Sequence, residues 1–234
     1  MFSLSERKEE RLYKQVMENE LVDDRTYNLY LGGVIAYGLI VNIIMCNRCT
    51  HLVLGLNPIM FFIGYFVCVL AGTMISSKSN SPLVSFLGYN LVVVPVGLVL
   101  SSVVYYYGGL SSTLVLQAII YTAGITCVMI CLSILYPQFF SKLGGLLFGG
   151  LIGLIIVEIV LLIMGVAQSF SSMIGAVLFS FYIGYDYYKA QQYPKTVDNA
   201  VDSALDIYLD IINLFIRILS ILGRGSSSSK KNSF

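Results

Sequence analysis

Long apolar windows run the length of this chain, broken by short charged or glycine-rich stretches. About 20 consecutive apolar residues cross a bilayer as a helix, so the windows set the crossings. "TYNLYLGGVIAYGLIVNIIM", within Thr26 to Asn47, is the first, and Pro58 to Ile75 is the second. From Ser79 to Ser141 there is no Asp, Glu, Lys or Arg. That window holds two crossings, near Leu83 to Val104 and Thr113 to Leu135, folded back at "YYYGGLSS" (Tyr105 to Ser112). Leu143 to Gly165 is a fifth, interrupted by Glu158, and Ser171 to Tyr188 is a sixth that ends on Asp186. Ser203 to Leu222 is a seventh.

Composition agrees with an all-α polytopic membrane protein. The chain is 57% hydrophobic and 12% charged, about half the charge of a soluble domain. A net charge of +1 gives no reason to expect a nucleic-acid partner; the lipid bilayer is the expected one. Residues 1–25 carry both signs of charge and read as a cytosolic arm, soluble or amphipathic, rather than a cleavable signal peptide. Residues 26–223 form the membrane domain, and the Ser-rich residues 224–234 read as a disordered tail. With the N-terminus in the cytosol, the positive-inside rule collects Arg7, Lys8, Arg11, Lys14, Arg25, Lys78, Lys142, Lys189 and Lys195 on one side. Only Arg48 is left in the outer loops. The tail dissents, because a seventh crossing carries Arg224, Lys230 and Lys231 outward.

The seventh window is apolar on most faces but not on one. Asp202, Asp206, Asp210, Asn213, Arg217, Ser220 and Arg224 follow one another at steps of three or four, a helical period. Ionisable groups in hydrocarbon are costly and face a protein interior or water, so this helix belongs inside the bundle. For Asn213 and Ser220 the bland reading is preferred, hydrogen bonds that hold helices together. Asp202 sits at the cytosolic mouth, as solvated charge or as a partner of the helix N-terminus. Asp210 lies about two turns into the span. Asp186, at the end of the sixth span, falls at a similar depth on the antiparallel neighbour. Two carboxyls in contact do not both ionise cheaply, which would make Asp186 and Asp210 a proton-sensitive pair.

The last helix, "ALDIYLDIINLFIRILSILG", with "LFSFYIGYD" before it and the opening "DRTYNLYLGGVIAYGLIVNIIM", resembles the Bax inhibitor-1 family, its bacterial branch in particular. The likeness covers Asp24 to Gly223. It implies seven transmembrane helices with the C-terminal helix enclosed by the other six. It also implies a pH-sensitive passive calcium leak gated by two aspartates that share a proton, here Asp186 and Asp210, with Asp206 a weaker candidate. A bacterial plasma membrane is the implied location, or an endomembrane in a eukaryote. One departure is plain. The family's helix-two arginine has no counterpart in "PIMFFIGYFVCVLAGTMI", and Lys78 just beyond it is the nearest substitute.

Other polar residues are open to two readings. Glu158 lines an ion path, pairs with a base, or sits protonated in the bundle; Asp202, Asn213 and Arg217 are auxiliary to the same path. The glycines of "GGLLFGGLIGL" read first as packing. "CNRCTH" offers three metal ligands where a structural zinc needs four, so it reads as an incidental loop; no cofactor is expected, with calcium only as a permeant ion. Oxygen ligands suit calcium, but no dedicated cage is visible, and protons or other cations remain open. The rival function is an intramembrane aspartyl protease, which also uses two membrane aspartates; its G-x-G-D and P-A-L patterns are missing here. A third is a non-conducting interaction protein acting on stress pathways, with protein partners unknown. The expectation is a channel rather than an enzyme.

Overall fold

The computed structural model describes residues 11, 20–55, 57–165 and 169–231. These form helices α1 (Asp24–Arg48), α2 (Thr50–Leu54), α3 (Pro58–Lys78), α4 (Pro82–Tyr106), α5 (Thr113–Leu135), α6 (Pro137–Phe140), α7 (Gly144–Ile163), α8 (Ser169–Gln192) and α9 (Val197–Lys231). No strand is present among the described residues. One isolated β-bridge joins Leu21 to Thr196.

Helix boundaries follow local chemistry. Asp23 caps α1, its carboxylate accepting from the Thr26 amide at 3.1 Å and the Thr26 hydroxyl at 2.5 Å. Those bonds hold the Asp23 carboxyl below its ordinary range. Asn57 caps α3 by accepting from the Ile59 and Met60 amides, and a proline opens both α3 and α4. Proline suits a first turn because its missing N–H would have no partner there. The fold-back after α4 uses Gly108 and Gly109 at φ 97° and 82°, backbone that a residue with a Cβ rarely adopts.

Among the described residues, five helices, α1, α3, α4, α5 and α7, are long and apolar enough to cross a membrane. They match the first five windows within a few residues. Helices α8 and α9 stand where the sixth and seventh crossings are expected, but are not among those five. The last helix continues to Lys231, past the Gly223 at which the sequence reading ends it. Serine and lysine do not break a helix as proline does. Most of the 1–25 arm and residues 232–234 lie outside the described residues.

The chain divides into two compact units. The first holds residues 1–110 and 190–208. Its centre is α4, against which α1 and α3 pack, burying Tyr89, Val92, Val93, Val96, Leu100 and Val104. Helices α3 and α4 meet backbone to backbone. A Cβ on Gly72 would lie 2.6 Å from the Gly88 carbonyl oxygen, and one on Gly88 2.7 Å from the Ser76 amide. The second unit holds residues 111–189 and 209–234. There Gly184 of α8 packs on α5 and α6, with room for no Cβ beside the Phe140 ring and the Met129 carbonyl.

Candidate functional site

The polar stripe resolves into two centres, one in each unit. In the first unit the Gly72–Gly88 crossing brings two serines inward, both almost wholly buried. Ser76, one turn beyond Gly72, donates its hydroxyl to Asp202 Oδ1. Ser85 donates to Asp198 Oδ1 at 2.6 Å. Tyr27 donates to the Ala190 carbonyl at 2.8 Å and lies 3.4 Å from the Ser203 hydroxyl. Further along, Asn42 donates to the Tyr208 hydroxyl, and the Tyr89 and Tyr208 rings meet tilted at 59°, 5.6 Å between centroids.

A cation from the N-terminal arm completes this centre. Arg11 Nη1 lies 3.3 Å from Asp206 Oδ2, and its Nε lies 3.7 Å from Asp202 Oδ2. The guanidinium also stands over the Tyr193 ring, 5.7 Å from its centroid, within cation–π range. Asp202 precedes the apolar stretch that begins at Ser203. Burial pushes its carboxyl up to about 6; Arg11 and Ser76 oppose that rise, and the like charges of Asp198 and Asp206 add to it. The loop alongside is pinned too. Val22 donates its amide to the Lys195 carbonyl at 2.8 Å, and the Lys195 ammonium sits 4.3 Å from the Tyr27 ring centroid. Burial lowers that ammonium's pKa, and the charge of Asp24 partly offsets the drop.

In the second unit, Arg217 of α9 and Glu158 of α7 form a two-pronged ion pair, Nη2 to Oε2 at 3.0 Å and Nη1 to Oε1. Space for the arginine comes from Gly175 of α8, where a Cβ would lie 2.9 Å from Arg217 Nε. One turn along, the Ser220 and Ser172 hydroxyls lie 3.2 Å apart. Asp186 and Asp210 both belong to this unit. Both are buried, at 5% and 7% exposure.

Each residue singled out from the sequence therefore has a place. Asp202 and Asp206 share Arg11, and Glu158 pairs with Arg217, one of the readings left open for it. Asn213 donates to the Leu209 carbonyl one turn back at 2.8 Å, a bond that Asn makes in many helices. Lys78 is exposed at the end of α3. Among the described residues, the cation against Asp202 and Asp206 is Arg11. Sequence reasoning missed Arg11, Ser76 and Ser85. The signal was present in the spacing "GTMIS" and "SFLG", small residues one turn apart on two consecutive helices, which mark close helix contacts. Cys46, Cys49, Cys68, Cys127 and Cys131 are free thiols. No group of three or more His, Cys, Asp or Glu side chains among the described residues could hold a metal ion.

Comparison with known proteins adds the family. The chain matches the family described as Inhibitor of apoptosis-promoting Bax1 over residues 19–227. It is 30% identical to Bax inhibitor 1 of Schizosaccharomyces pombe over 131 residues, 54% of this chain and 47% of that protein. Two uncharacterized proteins from two strains of Helicobacter pylori are 36% and 37% identical over 94 and 87 residues. Those matches cover 38% and 36% of this chain and 39% and 36% of theirs. The chain thus spans about half the length of the yeast relative and less of the bacterial ones. The family match runs from before α1 to near the end of α9 and includes every aspartate of the last helix. With five helices apolar enough to cross a bilayer inside it, the chain belongs to the Bax inhibitor-1 family and is a multi-pass membrane protein.

Proposed function

We propose that this protein is a passive cation leak, with calcium as its main permeant ion, and that Asp186 and Asp210 form a proton-sensitive gate. The observation that carries the reading is the burial of both carboxyls, at 5% and 7% exposure, in one unit of a membrane protein of this family. A carboxylate removed from water is costly and is cheaply relieved by a proton. Two such groups give one helix pair two charge states, and hence two arrangements, across an ordinary range of pH. Helices α8 and α9, which carry them, act in this reading as the sixth and seventh crossings. The Glu158–Arg217 pair supports the same picture, because a polar line along α9 is compensated group by group.

The test is calcium entry into dye-loaded liposomes holding the purified protein, across a pH series. Wild-type protein should admit calcium with a pH-dependent rate and no added protein substrate, which separates a leak from a protease. Asp186→Asn or Asp210→Asn should flatten the pH dependence and leave the fold intact, since Asn keeps the shape and the hydrogen-bonding capacity. If both variants keep the wild-type profile, the pair is structural and the gate lies elsewhere.

A further inference from the structure

The turn between α5 and α7 is built around a helix break. A residue before proline avoids the helical region, so α5 ends at Leu135, Tyr136 leaves the helix at φ −127° and ψ 56°, and Pro137 opens α6. Helix α6 is a single turn, and its Phe140 is buried, 1% exposed, against Gly184 of α8. With Phe140 as the anchor, Leu135, Tyr136 and Phe139 face outward, each half exposed or more. Backbone bonds brace the turn: the Tyr136 amide to the Leu132 carbonyl at 2.8 Å, Ser141 to Pro137 at 2.9 Å and Lys142 to Phe139 at 3.2 Å. The braced turn encloses a cavity of about 630 Å³, lined by Leu135, Tyr136, Pro137, Gln138, Phe139 and Lys142. That volume falls in the range of roughly 300–1,000 Å³ typical of small-molecule sites.

We propose that this cavity binds the headgroup of an anionic phospholipid. Its place in the fold supplies the first argument. Helices α5 and α7 are both apolar enough to cross the membrane, so residues 136–143 turn the chain round at a bilayer surface, where tyrosine is enriched. The lining supplies the second, because it carries apolar and polar groups together, as a lipid does. Leu135 and the Phe139 ring meet the first methylenes of the acyl chains, and the Gln138 amide donates to headgroup oxygens. Charge supplies the third. Lys142 is exposed, enters no ion pair among the described residues, and is the one charged residue of the described lining. An ammonium serves phosphate as a point charge, and basic groups at a bilayer surface select anionic lipid. With no carboxylate in the lining, the ammonium of a choline headgroup is repelled by Lys142 and has no partner. The site does not depend on the reading of the chain as a cation leak.

The experiment is native mass spectrometry of the full chain in detergent, titrated with dioleoylphosphatidylglycerol or with dioleoylphosphatidylcholine. Wild-type protein should hold the phosphatidylglycerol several-fold more tightly. Lys142→Gln should lose most of that difference and Lys142→Arg should keep it. Lys78→Gln, which removes an exposed lysine at the end of α3, should behave as wild type and controls for surface charge at large. Phe139→Ala should weaken both lipids and leave the preference in place. Equal binding of the two lipids by wild type, or a preference for the choline lipid, overturns the proposal. So does a preference that survives in Lys142→Gln, or one that Lys142→Gln and Lys78→Gln lower equally. Displacement of the phosphatidylglycerol by an equal concentration of inorganic phosphate would make this a site for the free anion and overturn the lipid assignment.

Discussion

Removing one partner of the Glu158–Arg217 pair should destabilise the protein much more than removing both. The pair is two-pronged, and the side chains of Arg217 and Glu158 are 16% and 23% exposed. Stranding one charge of a fully buried pair costs about 3–5 kcal/mol, whereas a fully exposed pair contributes about 0–1 kcal/mol. At this intermediate exposure a loss of about 2–3 kcal/mol is expected for Glu158→Gln or Arg217→Gln alone. At roughly 2–4 °C per kcal/mol for a chain of this size, the unfolding midpoint should fall by about 5–10 °C. Glu158→Gln with Arg217→Gln leaves two neutral groups able to hydrogen-bond across the same gap. It should fall by about 1 kcal/mol, or roughly 2–4 °C. The assay is thermal unfolding of the four proteins in one detergent, followed by circular dichroism because the chain has no Trp. If the double variant loses the sum of the two single losses, the pair contributes no coupling and the reasoning fails.

Two further predictions test the mouth of α9. Gly72→Leu or Gly88→Leu should cost about 1–3 kcal/mol, since any Cβ there would lie within 2.7 Å of backbone across the α3–α4 contact. An unfolding midpoint equal to wild type would show that the two helices do not touch as described. The second is pH dependence. The Asp202 pKa is raised to about 6 by burial, above its ordinary value of about 4, so the folded state holds this proton more tightly than the unfolded chain does. The resulting stability is fully present below pH ~4, falls as pH rises through the window up to ~6, and is constant above it. Across that window on acidification Asp202 becomes neutral, and Arg11 keeps only Asp206 as a full counter-charge. Asp202→Asn should remove this part of the pH dependence, so its unfolding midpoint should fall less than that of wild type between pH ~4 and ~6. Identical midpoint profiles for the two proteins across that window would rule this out.

The five strongly apolar helices were legible because they rest on one strong rule. Charge cannot sit cheaply in hydrocarbon, so the uncharged windows had to be helices, and Pro58, Pro82 and Gly108–Gly109 mark their ends by backbone geometry alone. The stripe on α9 was legible for the same reason: a helical period is visible in one segment. Its partners were not, because pairing depends on which helices touch and at what depth. Glu158 and Arg217 were both noticed, yet they are 59 positions apart and nothing local joins them. Arg11 sits among charges of both signs, where solvation is the ordinary outcome, so only the fold distinguishes it from its neighbours. Ser76 and Ser85 look like any helical serine until Gly72 and Gly88 bring their backbones together.

The arm's attachment also bears on how the protein is made. Arg11 and Asp206 are 195 positions apart, so every residue between them must be synthesised before they can meet. At roughly 5–20 residues per second, the arm leaves the ribosome on the order of ten to forty seconds before its aspartates do. Throughout that interval Arg11 has neither Asp202 nor Asp206 to bond. The contact between Arg11 and Asp206 is therefore a late step of assembly. A chain stalled before α9 would carry all five strongly apolar helices and an Arg11 without the aspartates that receive it.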